Sequence, residues 1–457
     1  MFVEMRPGGG GSYHGGGGGG GGGGSFGGGG SLGGAGSYHG GGGGSLSPGG
    51  ALAILILFGV IFGLVWLQRR RQRFGPRTDQ YDPMAGARPS APLDVLRARD
   101  PALTEQSIVD HVRPMADMLR QAWCGGDMRP ARPFVSDGVY SRFQVQLALM
   151  RQENRRNVMG DASVLHTSIE AVQDANPLDV VHVRMTAQAR DTEVPWTARD
   201  DEIQAALART QVAPYTEIWS LVRRAGAQTK PQGFAVGRAC PGCGAPLDPG
   251  EVIKCRYCGA LVCSGEHDWV LAEITQLEEW RPRMGPPPGV DALRARDPGV
   301  AAEVLEDRAS YLFWKWVEAA RANTPVPLRK AATPAFIASG GRAEWARGAS
   351  DVSVGGADVA RCVVAAQDGY DHVDVLVRWS ARFGGSSDYT PSQCVIRMAR
   401  RSGVQSRPSM TALVCQACGA PVADSDSTKC QACGAELAAG DQAWILEAVL
   451  SPGEAGV

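Results

Sequence analysis

The strongest constraint on this chain is that most of it is written twice. Asp94-Val-Leu-Arg-Ala-Arg-Asp-Pro101 recurs as Asp291-Ala-Leu-Arg-Ala-Arg-Asp-Pro298, an offset of 197. Val183-Arg184 and Ala187 align with Val377-Arg378 and Ala381 at 194. Arg223-Arg224 and Gly226 match Arg400-Arg401 and Gly403 at 177, and Cys240 and Trp269 match Cys415 and Trp444 at 175. The offset only falls, as expected of one unit copied and then trimmed by deletions. The largest trim lies near 195–207, which therefore reads as a loop or excursion. Two homologous units are expected, 94–280 and 291–457, with a Pro/Gly-rich linker over 281–290.

Each unit opens helical and ends in strands. Ile108, Val112, Met115, Leu119 and Ala122 step along one helical face. A second helix is expected after Ser136, a capping residue, with Val139, Phe143, Leu147 and Met150 on one face. Tyr311, Phe313, Trp314 and Trp316 form an aromatic stripe in the first helix of the second unit; core packing is the expected role, a partner-binding face the alternative. Alternation and β-formers then mark strands at 163–173, 180–189, 215–222 and 269–277, with counterparts at 359–366, 373–381, 393–398 and 444–450. Helices followed by strands predict an α+β fold class: two tandem cone-like units, each with helices over a curved antiparallel sheet.

Eight of the twelve cysteines fall in two identical arrangements. Cys240-Pro-Gly-Cys243 and Cys255-Arg-Tyr-Cys258 are separated by eleven residues, as are Cys415-Gln-Ala-Cys418 and Cys430-Gln-Ala-Cys433. Four thiolates can close tetrahedrally on zinc, and Gly244, Gly259, Gly419 and Gly434 let each knuckle turn. Two structural zinc ions per chain are expected, in ribbons at 238–262 and 413–437, each between the last two strands of its unit. An iron–sulfur cluster or redox dithiols are the alternatives. Cys263 and His267 follow the first ribbon, but the second has Ala438 and Gln442 there, so both read as non-ligands. Cys124, Cys362 and Cys394 read as small apolar residues.

Residues 1–50 hold 28 of the 61 glycines, which leaves about 8% glycine elsewhere, an ordinary value. Such a tail has nothing to bury and reads as disordered; its His14 and His39 read as polar punctuation. The apolar run 51–67 (ALAILILFGVIFGLVWL) would reach about 26 Å as a helix, and the residues before it add the rest of a ~30 Å hydrocarbon core. The arginines at 69–71 and 73 follow at once, so a transmembrane helix at 51–68 is expected, with the tail outside and a basic flank and linker at 69–93 inside. The predicted location is the cytoplasmic (inner) membrane, single-pass, with the C-terminal units in the cytoplasm. A cleaved signal peptide is the rival, but its apolar core should follow a short charged start and precede a small-residue cleavage site.

The first unit resembles the Tim-forty-four-like family through 118–123 (MLRQAW) with Gly126-Asp127, Val135-Ser-Asp-Gly-Val-Tyr140 with Phe143, and Trp219. The resemblance covers roughly 94–280. The second unit is a divergent copy without the Ser-Asp-x-x-Tyr motif, and the ribbons suggest a bacterial variety. The resemblance implies a nuclear-transport-factor-two-like cone enclosing an apolar pocket, and an association with membrane attachment, protein translocation or membrane-protein assembly. The leading expectation is a non-enzymatic membrane-anchored scaffold with a protein partner of unknown identity and with no catalytic or organic-cofactor residues. The alternative is an enzyme or a small-molecule or lipid-binding protein using the cone pocket, for which His166 and His182 on strands are the nameable acid–base candidates. Nucleic-acid binding is disfavoured: 46 Lys+Arg stand against 47 Asp+Glu, and neither ribbon carries a basic stripe with interleaved aromatics.

Overall fold

A computed structural model describes residues 93–174, 177–230, 238–247, 254–277, 279–281, 285–341, 343–384, 386, 388–406, 410, 415, 418, 420, 427–437 and 443–457. The expected glycine tail, membrane helix and basic flank lie outside the described residues. Among the described residues, no helix is long and apolar enough to cross a membrane.

Copy one runs α1 (Asp94–Arg97), α2 (Glu105–Gly125), α3 (Asp137–Gln152), β1 (Arg155–Asp174), β2 (Leu178–Pro195), α4 (Asp200–Arg209), β3 (Val212–Arg224) and β4 (Val270–Gln276). Thr104 and Ser107 close a capping box on α2, and Gly126 ends it at φ +70°. Ser136 caps α3 by accepting from the Val139 amide. Copy two runs α5 (Val290–Arg296), α6 (Ala302–Arg321), α7 (Pro334–Ala338), β5 (Ala349–Val363), β6 (Tyr370–Phe383), β7 (Tyr389–Arg401), β8 (Ile445–Leu450) and α8 (Pro452–Ala455). Each copy has one antiparallel four-stranded sheet in sequence order. Its apolar face packs under the helices, so Val181, Val183, Met185 and Trp219 meet Ile108, Met115, Leu119 and Trp123.

The strand ladders sharpen the duplication and correct its alignment. Register shifts in β1 follow Gly160, Val164 and Ile169, and in β5 they follow Ser350, Val354 and Val359, an offset of 190 throughout. The shift after Ser220 recurs after Arg397, at 177. In β2 the partner of Trp219 is Val183, and in β6 the partner of Ile396 is Val375, so β2 maps onto β6 at 192 rather than 194. The offset therefore rises once, from 190 to 192, instead of only falling. A two-residue slip keeps every side chain on its face, so hydropathy alone could not distinguish the two alignments. The excursion near 195–207 is also not simply a loop. It holds α4, whose Ile203 and Leu207 pack on Val158 and Val194.

The copies are not interchangeable. The long helix α3 of copy one has only the five-residue α7 as its counterpart, with Thr333 capping where Ser136 does. Twelve of the sixteen residues of α3 are buried. Val139, Phe143, Leu147 and Met150 enter the core of copy one, whereas Val145 and Leu149 enter that of copy two. Helix α3 lies against α6, whose aromatic stripe is buried in the core of copy two, as expected of packing residues. Further ties join the copies: Arg155 to Asp351, Arg321 to Glu153 at 3.0 Å, and the Gln146 amide donating to the Val352 carbonyl at 3.0 Å.

Gly138 permits this approach, because a Cβ there would stand 2.6 Å from the Asp307 carbonyl oxygen on α6. Gly138→Ala should therefore cost about 1–3 kcal/mol through overpacking. A lowered thermal midpoint of the full-length chain is expected, and an unchanged midpoint would mean that α3 and α6 do not pack this closely.

Candidate metal centres and cone cavities

Each ribbon is built from two knuckles in which backbone amides turn back on the chain. Gly244 donates to the Cys240 carbonyl, Gly259 to Cys255 and Gly434 to Cys430, at 2.8–2.9 Å. These glycines take φ of +77°, +74° and +75°, a region that side chains disfavour; Gly419 lies outside the described residues. Single antiparallel bridges, Ala239 with Pro246, Lys254 with Leu261 and Lys429 with Glu436, close the knuckles. Among the described residues the first ribbon's own apolar cluster is small, Cys240, Cys255 and Val262 with Leu247 and Ala260 against them, so a metal would supply stability that the loop's core does not.

The eight predicted cysteines come together in two groups, Cys240/Cys243/Cys255/Cys258 and Cys415/Cys418/Cys430/Cys433. Sulfur–sulfur distances are 3.6 Å for Cys240–Cys258, 3.8 Å for Cys243–Cys255, and 3.7 Å for both Cys415–Cys433 and Cys418–Cys430. Bonds of 2.3 Å to a tetrahedral zinc imply an edge of about 3.8 Å, so the donor set fits that ion. A disulfide would need about 2.05 Å. In each group one knuckle's first cysteine and the other's are buried while their mates are exposed, so Cys243, Cys258, Cys418 and Cys433 face outward.

The thiols are electrostatically prepared for a cation. The Cys258 backbone amide, aided by that of Tyr257, holds Cys255 down to about 6, and the amides of Cys433 and Ala432 hold Cys430 down to about 7. Burial pushes Cys240 up to about 12, and its thiol neighbours Cys255 and Cys258 add to the rise. One thiolate thus forms readily and opposes the next, an opposition that a dication removes. Cys263 is fully buried, lies beside Arg132, and joins neither sulfur group. His267 packs near Gly242, outside the sulfur group. Cys362 and Cys394 are buried, with thiols pushed up to about 12 by desolvation.

The two cone interiors differ. In copy two Phe313, Trp314, Trp316, Trp345, Trp379 and Phe383 form one aromatic cluster, with Trp345 and Trp379 stacked at 4.0 Å. Copy one keeps a cavity of about 30 Å³ among Leu119, Met159, Met185 and Trp219. That holds roughly two waters. Its wall includes Glu217, 3% exposed, which accepts from the Trp219 indole at 2.9 Å. Sequence patterning missed Glu217, whose only signal was a carboxylate two residues before Trp219 on a strand.

Neither candidate histidine points into this cavity. His166 is exposed. His182 lies on the opposite face of β2, with Ser220 Oγ 2.9 Å from Nδ1 and Gln173 Nε2 2.8 Å from Nε2. Its counterpart in the corrected alignment is Asp374, and that of His166 is Gly356.

The family model of the Tim44-like domain matches residues 90–232, which run from α1 through β3 of copy one. No curated protein and no solved structure matches the chain.

Metal analysis of the full-length chain should give two zinc ions per chain. Cys243→Ser and Cys418→Ser should each lower this to about one, because three thiolates hold zinc far more weakly than four. Two ions retained in either variant would overturn the assignment.

Proposed function

With a Tim44-like domain as the premise, we propose that this chain is a non-enzymatic, membrane-anchored scaffold with a role in protein translocation or membrane-protein assembly. The domain match on copy one carries the proposal, since the family is associated with membrane attachment and such roles. The apolar run 51–67 with its following arginines supports a single-pass anchor in the inner membrane that leaves both copies in the cytoplasm. Zinc in the two ribbons is structural in this reading, because four sulfur ligands leave no position open for water.

The cavity geometry favours the scaffold over an enzyme. Among the described residues, one cone is packed with an aromatic cluster, and the cavity in the other has room for about two waters. A second reading rests on Glu217: a buried carboxylate in a cone wall is the group that a ligand-binding or acid–base site would use. The two readings diverge at Ala187, which also lines the cavity. Ala187→Val would narrow the space without touching the outer surface.

Capture of the tagged chain from detergent-solubilised membranes should recover components of membrane-protein assembly or secretion. Ala187→Val should leave that recovery unchanged. Recovery of no such component counts against the scaffold, and recovery that is lost on Ala187→Val favours the ligand reading.

A further inference from the structure

The junction between the copies encloses a cavity of about 70 Å³, and two carboxylates reach across it. Asp307, on α6 of copy two, is 8% exposed and accepts from Ser136 Oγ and from the Gly138 amide, the latter at 3.0 Å, at the start of α3 in copy one. These donors are neutral. From copy one the charged groups that face it are Asp137 and Arg132, which pair with each other. On its own helix Asp307 adjoins Arg308, whose Nε is committed to the Trp444 carbonyl at 2.8 Å and whose guanidinium lies over Tyr311. Among the described residues no salt bridge forms on Asp307; Arg132 and Arg308 face it as cations without pairing directly.

Glu273, on β4 of copy one, meets the Ala357 amide of β5 in copy two at 3.4 Å. Around it stand Arg142 of α3 and Arg378 of β6, against Asp358 of β5, which pairs with Arg378, and Glu279 beyond β4. With Glu217, which Arg142 also faces, four carboxylates thus share two guanidiniums. Glu303 and Glu306 of α6 add further negative charge to the cavity wall, and Arg281 stands at its exposed rim. His182 faces the cavity from β2 but has both ring nitrogens engaged by Ser220 and Gln173.

We propose that the contact between the two copies is a proton-sensitive clasp, closed while Asp307 and Glu273 are protonated and loosened as they ionise. Ionisation leaves on Asp307 a buried charge whose hydrogen-bond donors are neutral and whose facing cations, Arg132 and Arg308, are engaged by Asp137 and the Trp444 carbonyl, and adds to an excess of carboxylates around Glu273. Burial pushes Asp307 up to about 8 and Glu273 up to about 7, with the neighbouring carboxylates Asp137 and Asp358 adding to the rise. Both groups are raised above their unfolded values. Their stabilisation is therefore complete at acidic pH and is lost as pH rises through about 7 and then about 8. Between about pH 6 and about pH 8.5 the closing equilibrium should weaken by about tenfold from Glu273 alone, and further from Asp307.

Hydrogen exchange of the full-length, zinc-loaded chain in detergent reads this directly, after correction for the pH dependence of chemical exchange. Amides at the start of α3 and along 352–357 of β5 should lose at least about tenfold of their protection over that range, relative to the β2–β3 ladder. Asp307→Asn with Glu273→Gln should hold the junction closed at the alkaline end and flatten the profile. Junction amides that track the β2–β3 ladder at every pH, or a double variant with the wild-type profile, would overturn the clasp. If Asp307→Asn does not fold, Glu273→Gln alone should remove about a tenfold part of the dependence, and an unaltered profile in that variant has the same adverse meaning.

Discussion

Helices α3 and α6 bury each other, and the rest of the molecule is arranged around that contact. A surface helix keeps a polar face for water, but α3 is buried at twelve of sixteen positions and α6 at fourteen of twenty. Copy two has shortened its own second helix to α7, so Val145 and Leu149 of copy one complete its core. A duplicated sequence has thus become one cooperative body. Cutting at the linker would expose apolar surface on both sides.

The same sheet face has opposite chemistry in the two copies. In copy one Ala171, Val180, His182, Ser220 and Ala272 occupy the face turned towards copy two. Their counterparts Arg361, His372, Asp374, Arg397 and Glu447 form a charged network, with Arg361 and Arg397 on Asp374 at 2.8 and 2.7 Å and His372 on Glu447 at 3.0 Å.

A buried Asp–Arg pair, repeated in both copies, ties each copy's first segment to its sheet. Asp100 holds Arg223 and Asp297 holds Arg400, both at 2.8 Å, and the guanidiniums stack on Trp269 and Trp444 at 4.3 and 4.4 Å. Removing one partner would strand a buried charge, at a cost of about 3–5 kcal/mol. Each tryptophan leads the last strand, directly after the ribbon, so this node also anchors the end of the metal-binding excursion. Among the described residues, the cysteines of the ribbons belong to neither of the two large cores.

The sequence by itself determined the duplication, the eight cysteines that gather in two groups of four, the inward face of α3 and the order of helices and strands. These are local or periodic signals: a fixed ligand spacing, a 3.6-residue stripe and a two-residue alternation. It also exposed both halves of the Asp–Arg node as repeated motifs, though not that they meet. Only the tertiary structure decided the two-residue register of β2 against β6, because slipping by two preserves the alternation that sequence reading relies on. Only it placed His182 outside the cone, Glu217 inside it, and α4 within the excursion. It alone paired Asp307 with the start of α3 across 169 residues. Hydropathy can say that a face is buried, but the identity of the covering surface depends on contacts between segments far apart in the chain, and no local pattern encodes them.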